Sequence, residues 1–225
     1  MACNPDTSLP ANHRLILGVT GSGKSILARV MIPHRGVRLL GWDTDDDHDG
    51  HHFESRAAYA KAVAAGLRSG RPFRLLWNGD NDIKTWEWWC SLVLAALDGR
   101  YQTEVLIEEL ADVSPSAGKA SPKFGELIRR ARKYNGRLTC LTQRGTEISK
   151  TVYTQSAEFW IGRQETTDLR RMSRLAAVTE ERMDAITPLH YICKRGGDLT
   201  FYRLEIKGKR RKLTELSENR STMGS

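Results

Sequence analysis

An α/β fold, with a largely parallel central sheet flanked by helices and a β-hairpin near the C-terminus, is what this 225-residue sequence predicts. Three observations carry that expectation. Short apolar runs alternate with amphipathic stretches through most of the chain, the pattern of parallel strands joined by helices. A glycine-rich octet, Gly18-Val19-Thr20-Gly21-Ser22-Gly23-Lys24-Ser25, stands between the first strand-like run and the first helical one. Near the end, Tyr191-Ile192-Cys193 and Thr200 to Leu204 flank Arg195-Gly196-Gly197-Asp198, a turn sequence suited to antiparallel pairing.

In chain order, Arg14 to Leu17 reads as a buried strand, and Ile26, Leu27, Val30 and Met31 recur at helical spacing after Ser25. Val37 to Trp42 is a second strand ending at Asp43, and Ser55 to Leu67 an alanine-rich helix. Phe73 to Trp77 is a third strand, closed by Asn78-Gly79, and Ile83 to Leu97 a helix carrying Trp86, Trp88 and Trp89. Glu104 to Glu109 is a strand and Ala111 to Pro122 a loop. Ser121 then caps a helix with Pro122 in its first turn and Phe124, Leu127, Ile128 and Ala131 on its buried stripe. Arg137 to Thr142 and Ala157 to Ile161 complete the strands before the hairpin. No internal repeat is visible.

The length suits one domain, expected over residues 1–206, followed by a basic tail at 207–225 read as flexible. Lys and Arg exceed Asp and Glu by 35 − 27 = 8, which favours a polyanionic partner. Cys3, Cys90, Cys140 and Cys193 are too scattered for a disulfide framework or a paired-cysteine zinc site. The longest strongly apolar run, Leu92 to Leu97, falls far short of the ~20 residues of a membrane span. The first residues lack a signal-peptide pattern, so the expectation is a soluble chain that reaches a membrane only through a partner.

The octet is a phosphate-binding loop, G-x-x-x-x-G-K-[ST], in the context that pattern requires, and with it the fold becomes a P-loop NTPase of the RecA-like type. Gly18, Gly21 and Gly23 let successive N–H groups turn inward around phosphates, and the helix that follows adds its positive end. Lys24 is the mobile charge for the β- and γ-phosphates, and the Ser25 hydroxyl a ligand for Mg2+. The expected ATP contacts are therefore Gly18, Val19, Thr20, Gly21, Ser22, Gly23, Lys24, Ser25 and Ile26.

Such a loop needs carboxylates at the end of a neighbouring buried strand, and Val105-Leu106-Ile107-Glu108-Glu109 supplies them. Glu108 is read as facing the waters of the Mg2+, and Glu109 as the general base for the attacking water. The strand Leu138 to Thr142 ends in Gln143, whose amide can donate to the γ-phosphate or hold the water.

The P-loop, the strand ending Glu108-Glu109, and Leu127-Ile128-Arg129-Arg130-Ala131-Arg132-Lys133-Tyr134 leading into Leu138 to Gln143 together resemble the FtsK/HerA superfamily of DNA-pumping ATPases. The short single-domain length is similar to the genome-packaging ATPases of tailless, membrane-containing icosahedral viruses. The resemblance covers residues 13 to 175, departs in Glu108 where many relatives have Asp, and lacks the extra domains of chromosome translocases. It implies a homo-oligomeric ring, usually a hexamer, with ATP at subunit interfaces, double-stranded DNA through the centre, and capsid or packaging-vertex proteins as partners. The location implied is the packaging vertex of the virion and the host cytoplasm. It also implies an arginine reaching the γ-phosphate from the neighbouring subunit. Arg132 matches the arginine that precedes the glutamine-ending strand and is slightly preferred; Arg163, after Glu158 to Gly162, competes.

Other features weigh less. Asp45, Asp47, Asp49 and Gly50 open like a calcium loop, but Arg56 stands where that loop needs its glutamate, so the segment with His48, His51 and His52 reads as a solvated acidic loop. At least one of the tryptophans at 86, 88 and 89 reads as core rather than a base-stacking platform, with Trp86 or Trp88 as the alternative for a subunit contact. Lys207 to Lys212 is a candidate for sequence-independent phosphate binding. The competing functional readings are a Zot-like phage assembly or secretion ATPase, which normally carries a membrane span, and a small-molecule P-loop kinase, for which no arginine-rich lid is visible.

Overall fold

The structure, a computed structural model, describes residues 5–113, 117–208 and 210–216; Cys3, Lys209 and positions 217–225 of the expected tail lie outside the described residues. Strands buried at every position belong in the middle of a sheet covered on both faces. That holds for β1 (His13–Leu17), β2 (Arg38–Trp42) and β5 (Thr103–Ile107). Around them stand β3 (His51–Phe53), β4 (Phe73–Trp77), β6 (Gly136–Thr142) and β7 (Ser156–Ile161), and then β8 (His190–Arg195), β9 (Asp198–Lys207) and β10 (Arg210–Leu216). All ten form one sheet in the order β10-β9-β8-β7-β1-β6-β5-β2-β4-β3. From β7 to β3 the pairings are parallel, whereas β8, β9 and β10 add on antiparallel. The predicted fold class is therefore the observed one.

Alternation along each strand divides the core. Leu15 and Leu17 of β1 face the larger cluster and Ile16 faces the smaller. The larger side holds α2 (Arg56–Ser69), α3 (Ile83–Ala96), α4 (Pro122–Arg130), α5 (Lys150–Gln155), α6 (Leu169–Ala176) and α7 (Glu180–Asp184). On the smaller side, among the described residues, α1 (Lys24–Met31) alone contributes helix residues to the core, through Leu27 and Ala28. The cover is thus lopsided, and the P-loop helix lies on the lightly covered face.

Trp86 and Trp89 are fully buried, stack with ring centroids 5.5 Å apart, and meet Trp42 edge-on at 5.0 and 5.6 Å. The alternative of Trp86 at a subunit contact is corrected by that burial. Trp88, partly buried, packs edge-on against Trp77 at 5.3 Å. At the start of β1 the buried His13 ring ties two elements together: Leu138 N–H donates to Nδ1 at 3.1 Å, so Nε2 carries the proton and donates to the Ile128 carbonyl at 3.0 Å.

Three further differences from the expectation stand out. Arg210–Leu216 is not free tail but an edge strand paired with β9 along its whole length, with Leu213 packed on the α1 side while Arg210, Arg211 and Lys212 are exposed. β3 is not legible in the sequence, being a three-residue strand without periodicity. Nor are α5 and α7, of 6 and 5 residues, each shorter than two helical turns; α6, of 8 residues, lies outside the expected helices although Leu169, Met172, Ser173 and Ala176 stand at helical spacing. No described helix is long and apolar enough to cross a membrane.

Candidate active site

The phosphate-binding loop leaves β1 at Leu17 and enters α1 at Lys24. Gly21 at φ 76° and Gly23 at φ 95° hold the left-handed conformations that turn the backbone inward. At Gly23 a side chain is excluded twice over, since a Cβ there would also lie 2.6 Å from Leu189. Neighbouring strand ends pin the loop. Gly18 N donates to Thr142 O at 3.3 Å and Val19 N to Arg163 O at 2.9 Å. The Ser22 carbonyl accepts from Leu189 N at 3.1 Å and from the Tyr191 hydroxyl at 2.9 Å. The C-terminal hairpin thus buttresses the loop through β8, from a position far along the chain.

Lys24 is only 8% exposed and its Nζ donates to Val19 O at 3.4 Å. Burial lowers its pKa below the ordinary lysine value, while the carboxylates of Glu109, Glu108 and Asp47 pull it back up. An ammonium so placed is drawn toward a phosphate that restores its solvation.

Ser25 Oγ lies 2.9 Å from Glu108 Oε1 and 3.0 Å from Asp47 Oδ2. Glu108 follows β5 directly, is buried, and extends the ladder through its N–H to Trp42 O at 2.9 Å. Its other oxygen, Oε2, meets His48 Nε2 at 2.8 Å. Asp43, fully buried at the end of β2, accepts from the backbone N–H of Asp47 and of His48, each at 3.0 Å, and from His52 Nε2 at 3.0 Å. The corner is strongly acidic: burial, reinforced by Asp47, Asp112, Glu108 and Asp43, raises the pKa of Asp45. The segment read as a solvated acidic loop therefore folds onto the P-loop serine and the strand-end glutamate, with His48 only 4% exposed. The signal available in the sequence is Asp43 itself, a carboxylate directly ending an apolar strand.

Glu109 points the other way. Its backbone is left-handed at φ 41°, uncommon for a residue with a Cβ. The turn carries Oε1 to Gln143 N at 3.0 Å and Thr142 Oγ1 at 3.4 Å. The Gln143 side-chain oxygen in turn accepts from Thr20 Oγ1 of the P-loop at 2.7 Å. The structure thus brings Lys24, Ser25, Glu108, Glu109 and Gln143 together at the C-terminal edges of β1, β5 and β6. That is where ligands bind on parallel sheets.

The two arginines are placed differently. Arg132 precedes β6 and so stands at the opposite end of that strand from Gln143, about 20 Å away at strand rise. Its guanidinium donates to the carbonyls of Leu9 and Thr7. Arg163 sits beside the P-loop of its own subunit, its carbonyl holding Val19 N, with its side chain exposed.

No protein-family model matches the sequence. By fold, the chain is similar to the genome packaging NTPase B204 of Sulfolobus turreted icosahedral virus 2, whose structure was determined in complex with AMPPCP. The TM-score is 0.70 at 16% identity, over 88% of this chain and 100% of that one. It is also similar to VirB4 of Thermoanaerobacter pseudethanolicus, with a TM-score of 0.59 at 12% identity over 87% and 90% of the two chains. The resemblance read from the P-loop and the strand ends thus holds at the level of the whole fold. By sequence, the chain is 38% identical over 151 residues to Protein P9 of Pseudoalteromonas phage PM2, covering 67% of each chain. On that match the chain belongs to the family of phage PM2 Protein P9, and its fold is that of the viral packaging NTPase B204.

Proposed function

We propose that this protein is a ring-forming ATPase that couples ATP hydrolysis to moving double-stranded DNA into a viral particle. The observation that carries the reading is the pairing of two carboxylates with separate tasks. Glu108 is tied to the P-loop serine, and Glu109 to the backbone of Gln143. In this reading the loop from Gly18 to Ile26 cradles the triphosphate, and Lys24 neutralises it. Ser25 and Glu108 supply an oxygen donor set that suits a hard divalent cation such as Mg2+. When bound, that cation spreads the charge of the β- and γ-phosphates. Glu109 takes the proton of the attacking water through Oε2, the oxygen without a hydrogen-bond partner among the described residues. Gln143 orients the water, and the bond from its N–H holds the base in place.

The fold shared with a viral packaging NTPase supports a motor rather than a metabolic kinase. It favours a homo-oligomeric ring, a hexamer by resemblance, at the packaging vertex. There capsid or vertex proteins would be neighbours, and Arg132 or Arg163 would act across the subunit interface. The excess of eight positive charges suits a DNA partner. The test is ATP turnover with and without linear double-stranded DNA, together with negative-stain images. Rings and DNA-stimulated hydrolysis are expected; a monomer whose turnover ignores DNA would refute the motor.

A further inference from the structure

The P-loop serine and the strand-end glutamate share their corner with a third oxygen. Asp47 Oδ2 approaches Ser25 Oγ to 3.0 Å, while Glu108 Oε1 approaches it to 2.9 Å. The hydroxyl has a single proton and can satisfy one carboxylate at a time. Of the cations near by, Lys24 donates to Val19 O, Arg29 Nε to the Ser25 backbone carbonyl at 3.3 Å, and His48 is taken up by the far oxygen of Glu108. Two carboxylate oxygens therefore converge on one serine hydroxyl, and no described hydrogen bond joins either of these two oxygens to a cationic side chain.

This convergence is built into the chain. Asp43 is fully buried and accepts the N–H groups of both Asp47 and His48. Because consecutive residues are held by one carboxylate, Asp47 is aimed at Ser25 and His48 at Glu108 Oε2, which leaves Glu108 Oε1 for the serine side. Asp46, just before them, takes the left-handed backbone at φ 59° that the turn requires.

We propose that Asp47 is a third protein oxygen donor to the divalent cation bound with the nucleotide, directly or through one water, and that Asp43 is the positioning residue that aims it. The inference rests on the nucleotide reading above and adds a residue to that same site. A hard cation bound with a nucleotide is commonly held by one or two carboxylates together with phosphates and water. The P-loop serine and two carboxylates match that donor count.

The experiment measures Mn2+ affinity by electron paramagnetic resonance on the full chain with bound AMPPCP, and AMPPCP affinity separately in EDTA. Asp47 is exposed, so Asp47→Asn should fold normally. It is expected to weaken Mn2+ by about tenfold or more and to leave metal-free AMPPCP binding unchanged. Asp43→Asn, with its folding checked by melting temperature, should weaken Mn2+ in the same direction. Asp49→Asn removes the same charge two residues further on and should leave Mn2+ affinity unchanged. Unaltered Mn2+ affinity in Asp47→Asn, or an equal loss in Asp49→Asn, overturns ligation by Asp47. A normal Asp43→Asn beside a weakened Asp47→Asn overturns the positioning role. Wild-type protein that binds AMPPCP neither in EDTA nor with Mn2+ present overturns the nucleotide reading itself, and the inference with it.

Discussion

Replacing Glu109 by glutamine separates binding from chemistry. Glu109 Oε1 accepts from Gln143 N at 3.0 Å and Thr142 Oγ1 at 3.4 Å, and a glutamine carbonyl oxygen in the same place accepts both. The substitution keeps the size and shape of the side chain and the left-handed turn at φ 41°, so the fold and the P-loop should be untouched. What is removed is the second carboxylate oxygen as proton acceptor. A positioned general base contributes about 10²- to 10⁴-fold in rate, which is roughly 3–5 kcal/mol of barrier. Steady-state ATP hydrolysis should therefore fall by about two to four orders of magnitude. Nucleotide affinity measured by equilibrium binding should stay within about twofold, since uniform binding is not affected. Lys24→Ala is the opposite case, because it removes the buried cation that neutralises the phosphates and should nearly abolish binding. Wild-type turnover in Glu109→Gln would refute the assignment of the base, and Glu108→Gln would be the next variant to assay.

If an arginine acts between subunits, mixing Glu109→Gln with Arg132→Ala should restore part of the ATPase activity, and Arg163→Ala mixed in the same way tests the competing position. Rings that assemble but recover nothing in either mixture would exclude both arginines. Neutralising Arg210, Arg211 and Lys212 on the edge strand, with Lys209 beside them, should lower the salt dependence of DNA binding. The slope should fall by about 0.9 for each DNA phosphate that is no longer neutralised. An unchanged slope would leave these cations the role of guarding a sheet edge against pairing. Burial lowers the His13 pKa from 6.5 to about 4. A proton binds the unfolded chain more readily across that window, so stability present above pH 6.5 should drain away as pH falls toward 4, by up to about 3 kcal/mol. Urea melts at about pH 7 and about pH 4.5 should show this loss in wild type and a smaller one in His13→Gln. Equal losses in the two proteins would place the acid sensitivity elsewhere.

Much of the site is legible in the sequence because its parts are local. Gly18 to Ser25 must be contiguous for one turn of backbone to wrap a phosphate, so the motif appears as a string of letters. Glu108 and Glu109 end an apolar run whose burial forces its carboxylates to the sheet edge. The same logic locates β1, β2, β4, β5 and β6, whose apolar runs are long enough to show. It is silent about β3, α5 and α7, where too few residues repeat for a period to emerge, whereas the spacing of Leu169, Met172, Ser173 and Ala176 in α6 is present in the sequence.

What only the tertiary structure decided depends on distance along the chain. Asp47 and His48 read as a solvated loop, and Asp43 only as a strand end, because neither their composition nor their spacing reveals that β2 lies beside β5 in the sheet. That adjacency brings the loop onto Glu108 and Ser25. Tyr191 and Leu189 hold the P-loop from a strand whose place in the order is set by antiparallel pairing with β7. The two arginines are nearly equal on paper and are separated by which end of the sheet each occupies. Hydrophobic periodicity encodes which side of an element is buried, whereas strand order, and with it every contact between strand ends, is fixed only when the whole core packs.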